Sequence, residues 1–140
     1  MSLNETFPAP NCPFCGDDAL KQAVAIIGSV LAIPDKFPVT PGHVLIVPIR
    51  HTQDYFTMTP EEHCDTGELL MKLRNQILGS DPTVVGFNVG ANCGEAAGQT
   101  IQHAHIHLIP RRLGDTPNPT GGIRGAIPDR MAPRIDPALQ

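Results

Sequence analysis

Histidines alternate with apolar residues in the run from His103 to Ile109. This period of two is that of a half-buried β-strand, in which successive side chains lie on opposite faces of a sheet. The pattern predicts that the three histidines share one face and that Ala104, Ile106 and Leu108 point into the core. Neighbouring side chains on one strand face are about 6.6 Å apart, so the imidazoles would form one wall of a site. Two alternatives remain open: exposed histidines on a solvated strand, or three ligands of one catalytic zinc ion.

Size and charge narrow the class of protein. A chain of 140 residues with 41% hydrophobic residues fits one compact domain. The formal net charge is -4 and no lysine-rich run occurs, so we expect no nucleic-acid partner. No stretch reaches the roughly 18 continuous apolar residues of a membrane helix, and residues 1–5 lack the pattern of a secretion signal. We therefore expect a cytoplasmic protein without a membrane partner.

Three further segments have the composition of strands. Residues 24–33 are rich in β-branched side chains and are interrupted by Gly28-Ser29, which predicts two strands joined by a tight turn. Residues 43–48 are almost entirely apolar, as in a central strand covered on both faces. Residues 84–90 should form a strand that pairs with the histidine strand. We expect an antiparallel sheet of about five strands.

One long helix should cover this sheet. The sequence Thr59-Pro60-Glu61-Glu62 has the N-cap, the proline at the first helical position and the capping-box glutamate of a helix start. Leu70, Leu73 and Ile77 then repeat at helical spacing until Gly79, where we expect the helix to end. A sheet with a packing helix is an α+β fold.

Proline and glycine set the limits of the domain. Residues 1–11 contain two prolines and little apolar pattern, which predicts an extended N-terminal arm. Residues 113–140 contain five prolines and several glycines, which predict a tail without regular structure. The folded domain should therefore span residues 12–112.

Cys12 and Cys15 form a Cys-x-x-Cys turn that can place two thiolates on one ligand. In a cytoplasmic chain such a pair is more often a metal or redox site than half of a disulfide framework. A closed zinc site needs two further ligands, and the candidates are histidines far away in sequence. Two reduced cysteines without metal are the simpler alternative. A thioredoxin-like redox pair fits less well because no strand pattern precedes the motif.

The histidine run, with its Gly98-Gln99-Thr100 lead-in and its Pro110-Arg111 exit, resembles the signature of the histidine triad (HIT) family. Members of this family are nucleotidyl hydrolases and transferases, and the resemblance extends over most of Cys12 to Arg112. It implies a HIT-like antiparallel sheet with one long helix. It also implies cleavage at the α-phosphate of a dinucleoside polyphosphate or a nucleoside phosphoramidate, and a two-fold homodimer.

The resemblance also assigns roles to single residues. His105 would attack phosphorus and form a nucleotidyl-histidine intermediate, and His107 would donate to the phosphate oxygens. In the branch of the family that carries a structural zinc, the ligands correspond to Cys12, Cys15, His51 and His103. His103 would then hold zinc rather than take part in catalysis.

Six further residues match family positions that bind the nucleotide or its phosphate. Asp35 would bind the ribose, although aspartate before a proline-containing loop also makes turns. His43 would border the phosphate and support the triad, although a histidine at a strand start is usually structural. The loop between the last two strands is small and glycine-rich, which favours close approach of backbone N–H groups to an anion. The remaining predicted contacts are Asn88, in the strand before this loop, and Gly98, Gln99 and Thr100 at its end.

Three functional hypotheses follow from these residues. The first is the HIT-type enzyme, which could pass the nucleotidyl group to water or to another acceptor. The second is a zinc-dependent hydrolase that uses His103, His105 and His107 together as metal ligands. The third is a nucleotide-binding adaptor without catalysis, which an intact His105 disfavours.

Overall fold

A computed structural model describes residue 9 and residues 11–132. Its elements are two α-helices and five β-strands. In chain order they are α1 (Gly16–Gln22), β1 (Ala25–Ile27), β2 (Val30–Pro34), β3 (Val44–Pro48), α2 (Pro60–Ser80), β4 (Val84–Gly90) and β5 (Ile106–Arg112). Short 3-10 helices occur at Tyr55–Thr57, Glu95–Ala97, Gly122–Ala126 and Pro128–Arg130.

The five strands form one antiparallel sheet in the order β1-β2-β3-β5-β4. The predicted α+β fold with one long helix is therefore confirmed. The turn between β1 and β2 is Gly28-Ser29, as expected, and Gly28 has a φ of 52°, a conformation that glycine adopts without a steric penalty. β5, which carries His107, is an inner strand of the sheet between β3 and β4.

Helix α2 begins where the sequence predicts. The Thr59 side chain accepts from the N–H of Glu62, and the Glu62 carboxylate accepts from the N–H of Thr59. This reciprocal capping box satisfies two N–H groups that the first turn leaves without helical partners. The helix ends at Ser80, one residue beyond the expected stop at Gly79, and Leu69 and Leu73 are its most buried apolar residues.

The sheet has two apolar faces. On one face α2 packs against side chains from β2, β3 and β5, and Ala104, Ile106 and Leu108 lie in this core as predicted. The opposite face carries a second apolar cluster, Phe14, Leu31, Ile33, Leu45 and Val47. Because side chains alternate along a strand, His107 belongs to this second face.

The histidine strand starts later than the sequence predicts. β5 begins at Ile106, and residues 103–105 precede it as an irregular segment. Ile46 pairs with Ile106, so the same register would place Val47 opposite His105 and Pro48 opposite Ala104, and proline has no N–H to donate. The N–H of Ala104 donates instead to the carbonyl of Thr52 at 2.8 Å. The carbonyl of Pro48 accepts from His103 Nε2 at 2.8 Å.

The segments outside the domain are only partly described. The predicted arm, residues 1–11, lies outside the described residues except for residues 9 and 11, as does the tail beyond residue 132. Residues 113–132 contain two short 3-10 helices, where the sequence predicted no regular structure, and otherwise turns and coil. Within the described part of the chain, none of the helices has the length and apolarity that a membrane crossing needs.

Candidate functional site

A cavity of about 710 Å³ lies over the sheet face opposite α2. His105 and His107 line it at the start of β5, and Asp35 lines it just after β2. Apolar side chains from the second cluster, including Phe14, Ile33 and Leu45, complete the wall. A mostly apolar cavity with a few convergent polar groups is the usual form of a small-molecule site.

His105 has a defined tautomer. Its Nδ1 lies 2.7 Å from the carbonyl oxygen of His103. A carbonyl can only accept, so Nδ1 carries the proton, and the neutral ring has its lone pair on Nε2. The Phe14 ring packs against His105 with centroids 5.0 Å apart. The result is a held imidazole with one nitrogen available as a nucleophile or base.

His107 is linked to His43 rather than to the backbone. His107 Nδ1 and His43 Nε2 are 2.9 Å apart, and the Asp35 Oδ2 atom lies 3.4 Å from His43 Nε2. Burial lowers the pKa of His107, and the neighbouring His105 and His43 lower it further. Burial also lowers the pKa of His43, and the Asp35 carboxylate opposes this only in part. Both rings are therefore neutral at neutral pH.

Cys12, Cys15, His51 and His103 form a second cluster, with one donor atom from each within 4.8 Å of the others. Cys15 Sγ lies 3.0 Å from His51 Nδ1 and 3.3 Å from His103 Nδ1, and the two Nδ1 atoms are 3.2 Å apart. Zinc bonds of about 2.3 Å to sulfur and about 2.0–2.1 Å to nitrogen put tetrahedral donor atoms about 3.3–3.8 Å apart. The cluster has nearly these dimensions.

The chemistry of the cluster also fits a metal ion. Burial lowers the pKa of His103 to about 4, so its ring is neutral, and its Nε2–H donates to the Pro48 carbonyl. Metal-bound histidines commonly hold their second nitrogen in this way. Burial raises the pKa of the Cys12 thiol to about 11, so a thiolate here requires a cation beside it. His103 points to this cluster and not to the cavity, so the three histidines do not converge on one ion.

The glycine-rich loop between β4 and β5 uses its own N–H groups. The N–H of Gly98 donates to Glu95, and the N–H groups of Ala97 and Gln99 donate to Gly94. Gly98 and Thr100, which were predicted as phosphate contacts, line the cavity. Because these three N–H groups are paired within the loop, the loop offers the cavity the Thr100 hydroxyl rather than a row of free N–H donors.

Two of the predicted contacts lie elsewhere. Gln99 is buried, and its amide binds three backbone groups, those of Gly94, Gln53 and Ile101, so it holds the loop together. Asn88 accepts from Arg111 at 2.7 Å and lines a separate cavity of about 310 Å³. Neither side chain is among the described residues that line the cavity at His105.

Sequence reasoning missed other residues that do line this cavity. Asn92, in the glycine-rich loop, provides the amide that was expected from Asn88. Lys36 provides a cation, and Phe37 an exposed aromatic ring. Phe14 connects the two clusters, because it lies between Cys12 and Cys15 and contacts the rings of both His103 and His105. In the sequence, the position of Phe14 inside the Cys-x-x-Cys motif was the signal that could have identified it as a site residue.

Comparison with known sequences identifies relatives. The HIT domain family model matches residues 19–114. A HIT-like protein of Mycobacterium tuberculosis is 34% identical over 128 residues, which cover 86% of each chain. The bis(5'-nucleosyl)-tetraphosphatase [asymmetrical] of Schizosaccharomyces pombe is 36% identical over 78 residues, which cover 56% of this chain and 42% of that protein.

Solved structures give the same result. A HIT family protein from Bacillus anthracis superposes with a TM-score of 0.68 at 39% identity, covering 76% of this chain and 77% of that one. A Zn-bound histidine triad family protein from Mycobacterium smegmatis superposes with a TM-score of 0.62 at 32% identity, covering 69% of each chain. Together with a family match over more than half of the sequence, these likenesses establish that the chain belongs to the histidine triad (HIT) family.

Proposed function

We propose that this protein is a nucleotidyl hydrolase or transferase that cleaves at the α-phosphate of a dinucleoside polyphosphate or a nucleoside phosphoramidate. The observation that carries the proposal is the bond from His105 Nδ1 to the His103 carbonyl, which leaves the Nε2 lone pair on a ring that lines the cavity. The relative from Schizosaccharomyces pombe, by its name a bis(5'-nucleosyl)-tetraphosphatase, supports the first substrate class.

In the proposed reaction His105 Nε2 attacks the α-phosphorus. A P–N bond forms to His105, the bond to the leaving oxygen or nitrogen breaks, and the leaving group departs with that electron pair, taking up a proton from water when it is nitrogen. Water or another acceptor then attacks the nucleotidyl-histidine and restores the free imidazole. His107 would stabilise the phosphoryl oxygens by hydrogen bonding, as would the Thr100 hydroxyl, while Gly98 would shape the cavity wall beside them.

The rest of the cavity suits a nucleoside. Asp35 keeps acceptor capacity for ribose hydroxyls, although Oδ1 already accepts from the N–H of Phe37 at 2.8 Å. His43 borders the phosphate site through its bond to His107. We add Asn92 as an amide contact in place of Asn88, and we assign Gln99 to the loop rather than to the leaving group. The apolar wall of Phe14, Ile33 and Leu45 would take the base.

We further propose that Cys12, Cys15, His51 and His103 hold a structural zinc ion. Bound zinc would supply folding energy and fix the segment before β5. Because His103 faces this cluster while His105 bonds to a carbonyl, the geometry disfavours the zinc hydrolase that uses all three histidines. Thiolate ligands persist in a reducing compartment, so we keep a cytoplasmic location as part of the proposal.

Metal analysis tests the zinc proposal. Purified protein should contain about one zinc per chain, and Cys15→Ser should lose it. Cys64→Ser is the matched control, because Cys64 is exposed and lies outside the cluster. A wild-type protein prepared with zinc in the medium that contains none would refute the proposal.

We also propose that the protein forms a homodimer through the β4 edge of the sheet. β4 exposes Val85 and Val89, and a cavity of about 530 Å³ beside it is lined by Tyr55, Phe56 and other apolar residues. Thr66, which is buried, lines the same cavity and has no hydrogen-bond partner among the described residues. Light scattering should give twice the monomer mass, and Val89→Arg should reduce it to the monomer mass.

Product analysis tests the proposed activity. Diadenosine tetraphosphate incubated with the protein should give products that include a mononucleotide, and added inorganic phosphate would reveal transfer if a new nucleotide appears. His105→Ala should abolish turnover while the fold and the metal content remain. Binding of adenosine monophosphate without turnover of any tested substrate would favour the adaptor instead.

A further inference from the structure

The proline-rich loop between β2 and β3 contacts His43, which is hydrogen-bonded to His107. It spans Phe37 to Gly42 and is followed by His43, the residue immediately before β3. Thr40 Oγ1 donates to the carbonyl of Pro110 in β5 at 2.6 Å, which ties the loop to the strand that carries His107. Gly42 has a φ of 90°, and a Cβ there would meet the Pro110 ring at 3.3 Å. The loop is therefore fixed against β5.

A backbone group of this loop acts on His43. The N–H of Val39 donates to His43 Nδ1 at 3.1 Å. An N–H donor needs a lone pair on its partner, so Nδ1 is unprotonated and the neutral ring carries its proton on Nε2. Doubly protonated His43 would place two N–H groups against each other. The backbone of the loop thus selects one form of a buried imidazole.

The tautomer of His43 determines the tautomer of His107. His43 Nε2–H donates to His107 Nδ1 at 2.9 Å, and Asp35 Oδ2, at 3.4 Å, is a weaker second acceptor for the same proton. His107 Nδ1 is then an acceptor, so the neutral His107 ring carries its proton on Nε2. Its side chain is 23% exposed and lines the cavity, where an Nε2–H can reach a ligand oxygen.

We propose that the Val39 backbone amide is a positioning group that fixes His43, and through it His107, as Nε2–H tautomers. His107 then meets the phosphoryl group as a neutral N–H donor. This inference rests on the proposed function for the identity of the phosphoryl group but not for the tautomers. It assigns a role to the backbone N–H of a loop residue that is 67% exposed.

The same contacts argue against a metal ion at this place. Asp35, His43 and His107 bring donor atoms within 4.8 Å of one another, a spacing that could suit a cation. Ligation through His43 Nε2 would leave both ring nitrogens without a proton, since Nδ1 accepts from Val39. An imidazolate of this kind is far less stable than a neutral ring, so the cluster serves hydrogen bonding.

Nitrogen NMR on the wild-type protein is the direct test. With 15N-labelled histidine at neutral pH and no nucleotide, His43 and His107 should both show Nε2–H tautomers. A scalar coupling should cross the bond from His43 Nε2 to His107 Nδ1. Signals are assigned with His43→Gln and His107→Gln. A proton on His43 Nδ1 would overturn the proposal.

Variants at the loop test the functional consequence. Val39→Pro removes the N–H, whereas Val39→Ala trims the side chain and keeps it. The kcat of the proline variant should be at least about tenfold below that of the alanine variant, with the tautomers of His43 and His107 mixed. Equal kcat and unchanged tautomers would contradict the proposal.

A second pair guards against misfolding of the proline variant. Thr40→Val breaks the bond to Pro110, and Thr40→Ser keeps it, so only the valine variant should loosen the loop and mix the tautomers. If the wild type shows the expected tautomers but turns over no nucleotide, the proposed function fails and the positioning claim for the rings stands. If it turns over nucleotide with the opposite tautomers, only this inference fails.

Discussion

Replacing Phe14 by alanine tests whether the core, the cysteine-histidine cluster and the position of His105 depend on one side chain. Phe14 is 7% exposed, lies in the second apolar cluster and contacts the rings of His103 and His105. Phe→Ala in a core costs about 3–5 kcal/mol. Because one side of the ring borders the cavity, we expect the lower end, about 3 kcal/mol.

This loss of unfolding free energy corresponds to a measurable fall in the melting temperature. Unfolding entropies of about 2.1 cal/mol/K per residue give about 0.3 kcal/mol/K for a chain of 140 residues. The expected fall in Tm is therefore about 10 °C. Far-UV circular dichroism is the suitable probe because the chain has no tryptophan and a single tyrosine. The kcat should fall as well, since His105 loses a packing surface.

Phe37→Ala is the matched control. Phe37 also lines the cavity but is 81% exposed, so its loss should change stability by less than about 0.5 kcal/mol. KM should rise in this variant while the Tm stays within about 2 °C of the wild type. Both variants are melted with added zinc and with chelator. Equal Tm values for the two variants would refute the packing argument.

Three further predictions concern stability. Burial raises the pKa of Glu62, but bonds from Arg50 and from the Thr59 N–H outweigh this and hold it below the ordinary value of 4.5. The ion pair therefore stabilises the fold above that pH and is lost as the pH falls through the folded pKa, so Glu62→Gln should flatten the acid side of a urea-unfolding series. Gly28→Ala should cost about 2–4 kcal/mol, because it strains a positive φ and displaces the Asp65 carboxylate that binds Ser29. Gly67→Ala, in an open position of α2, should stabilise by about 1 kcal/mol in the same assay.

Local pattern predicted the parts of this fold that depend on local physics. The capping box at Thr59 located the start of α2, and the period of two placed Ala104, Ile106 and Leu108 in the core. The start of β5 could not be found in this way. It depends on residues of other segments: the Ala104 N–H donates to Thr52, and Pro48, which would face Ala104, has no N–H to donate.

In the candidate site too, the sequence predicted some features, and others depend on how distant segments pack. The resemblance to the HIT family named four candidate metal ligands, and the fold brings one donor atom of each within 4.8 Å of the others, although the first and last of them are more than 90 positions apart in sequence. Asn88, predicted as a contact to the phosphate or ribose, lines the separate cavity beside Arg111, because the sequence pattern does not say which cavity a strand residue faces. There the tail approaches Asn88 so closely that a Cβ on Gly122 would be 3.1 Å from its Nδ2.

The tautomer of His105 is the most specific feature that the sequence could not supply. Its cause is the irregular segment before β5, which turns the His103 carbonyl toward Nδ1 at 2.7 Å. In a regular strand that carbonyl would pair with a neighbouring strand. Pro48 has no N–H to pair with Ala104, and β5 starts only at Ile106. The irregular segment before β5 then holds the proton of His105 on Nδ1 and leaves the lone pair on Nε2.

Trapping the covalent intermediate tests the central claim most directly. The protein is mixed with diadenosine tetraphosphate, quenched within the first turnover at alkaline pH to preserve a P–N bond, digested and examined by mass spectrometry. We expect the mass of an adenylyl group on the peptide that contains His105, and none in His105→Ala. Adenylyl transfer to a different residue, or full turnover by His105→Ala, would contradict the account.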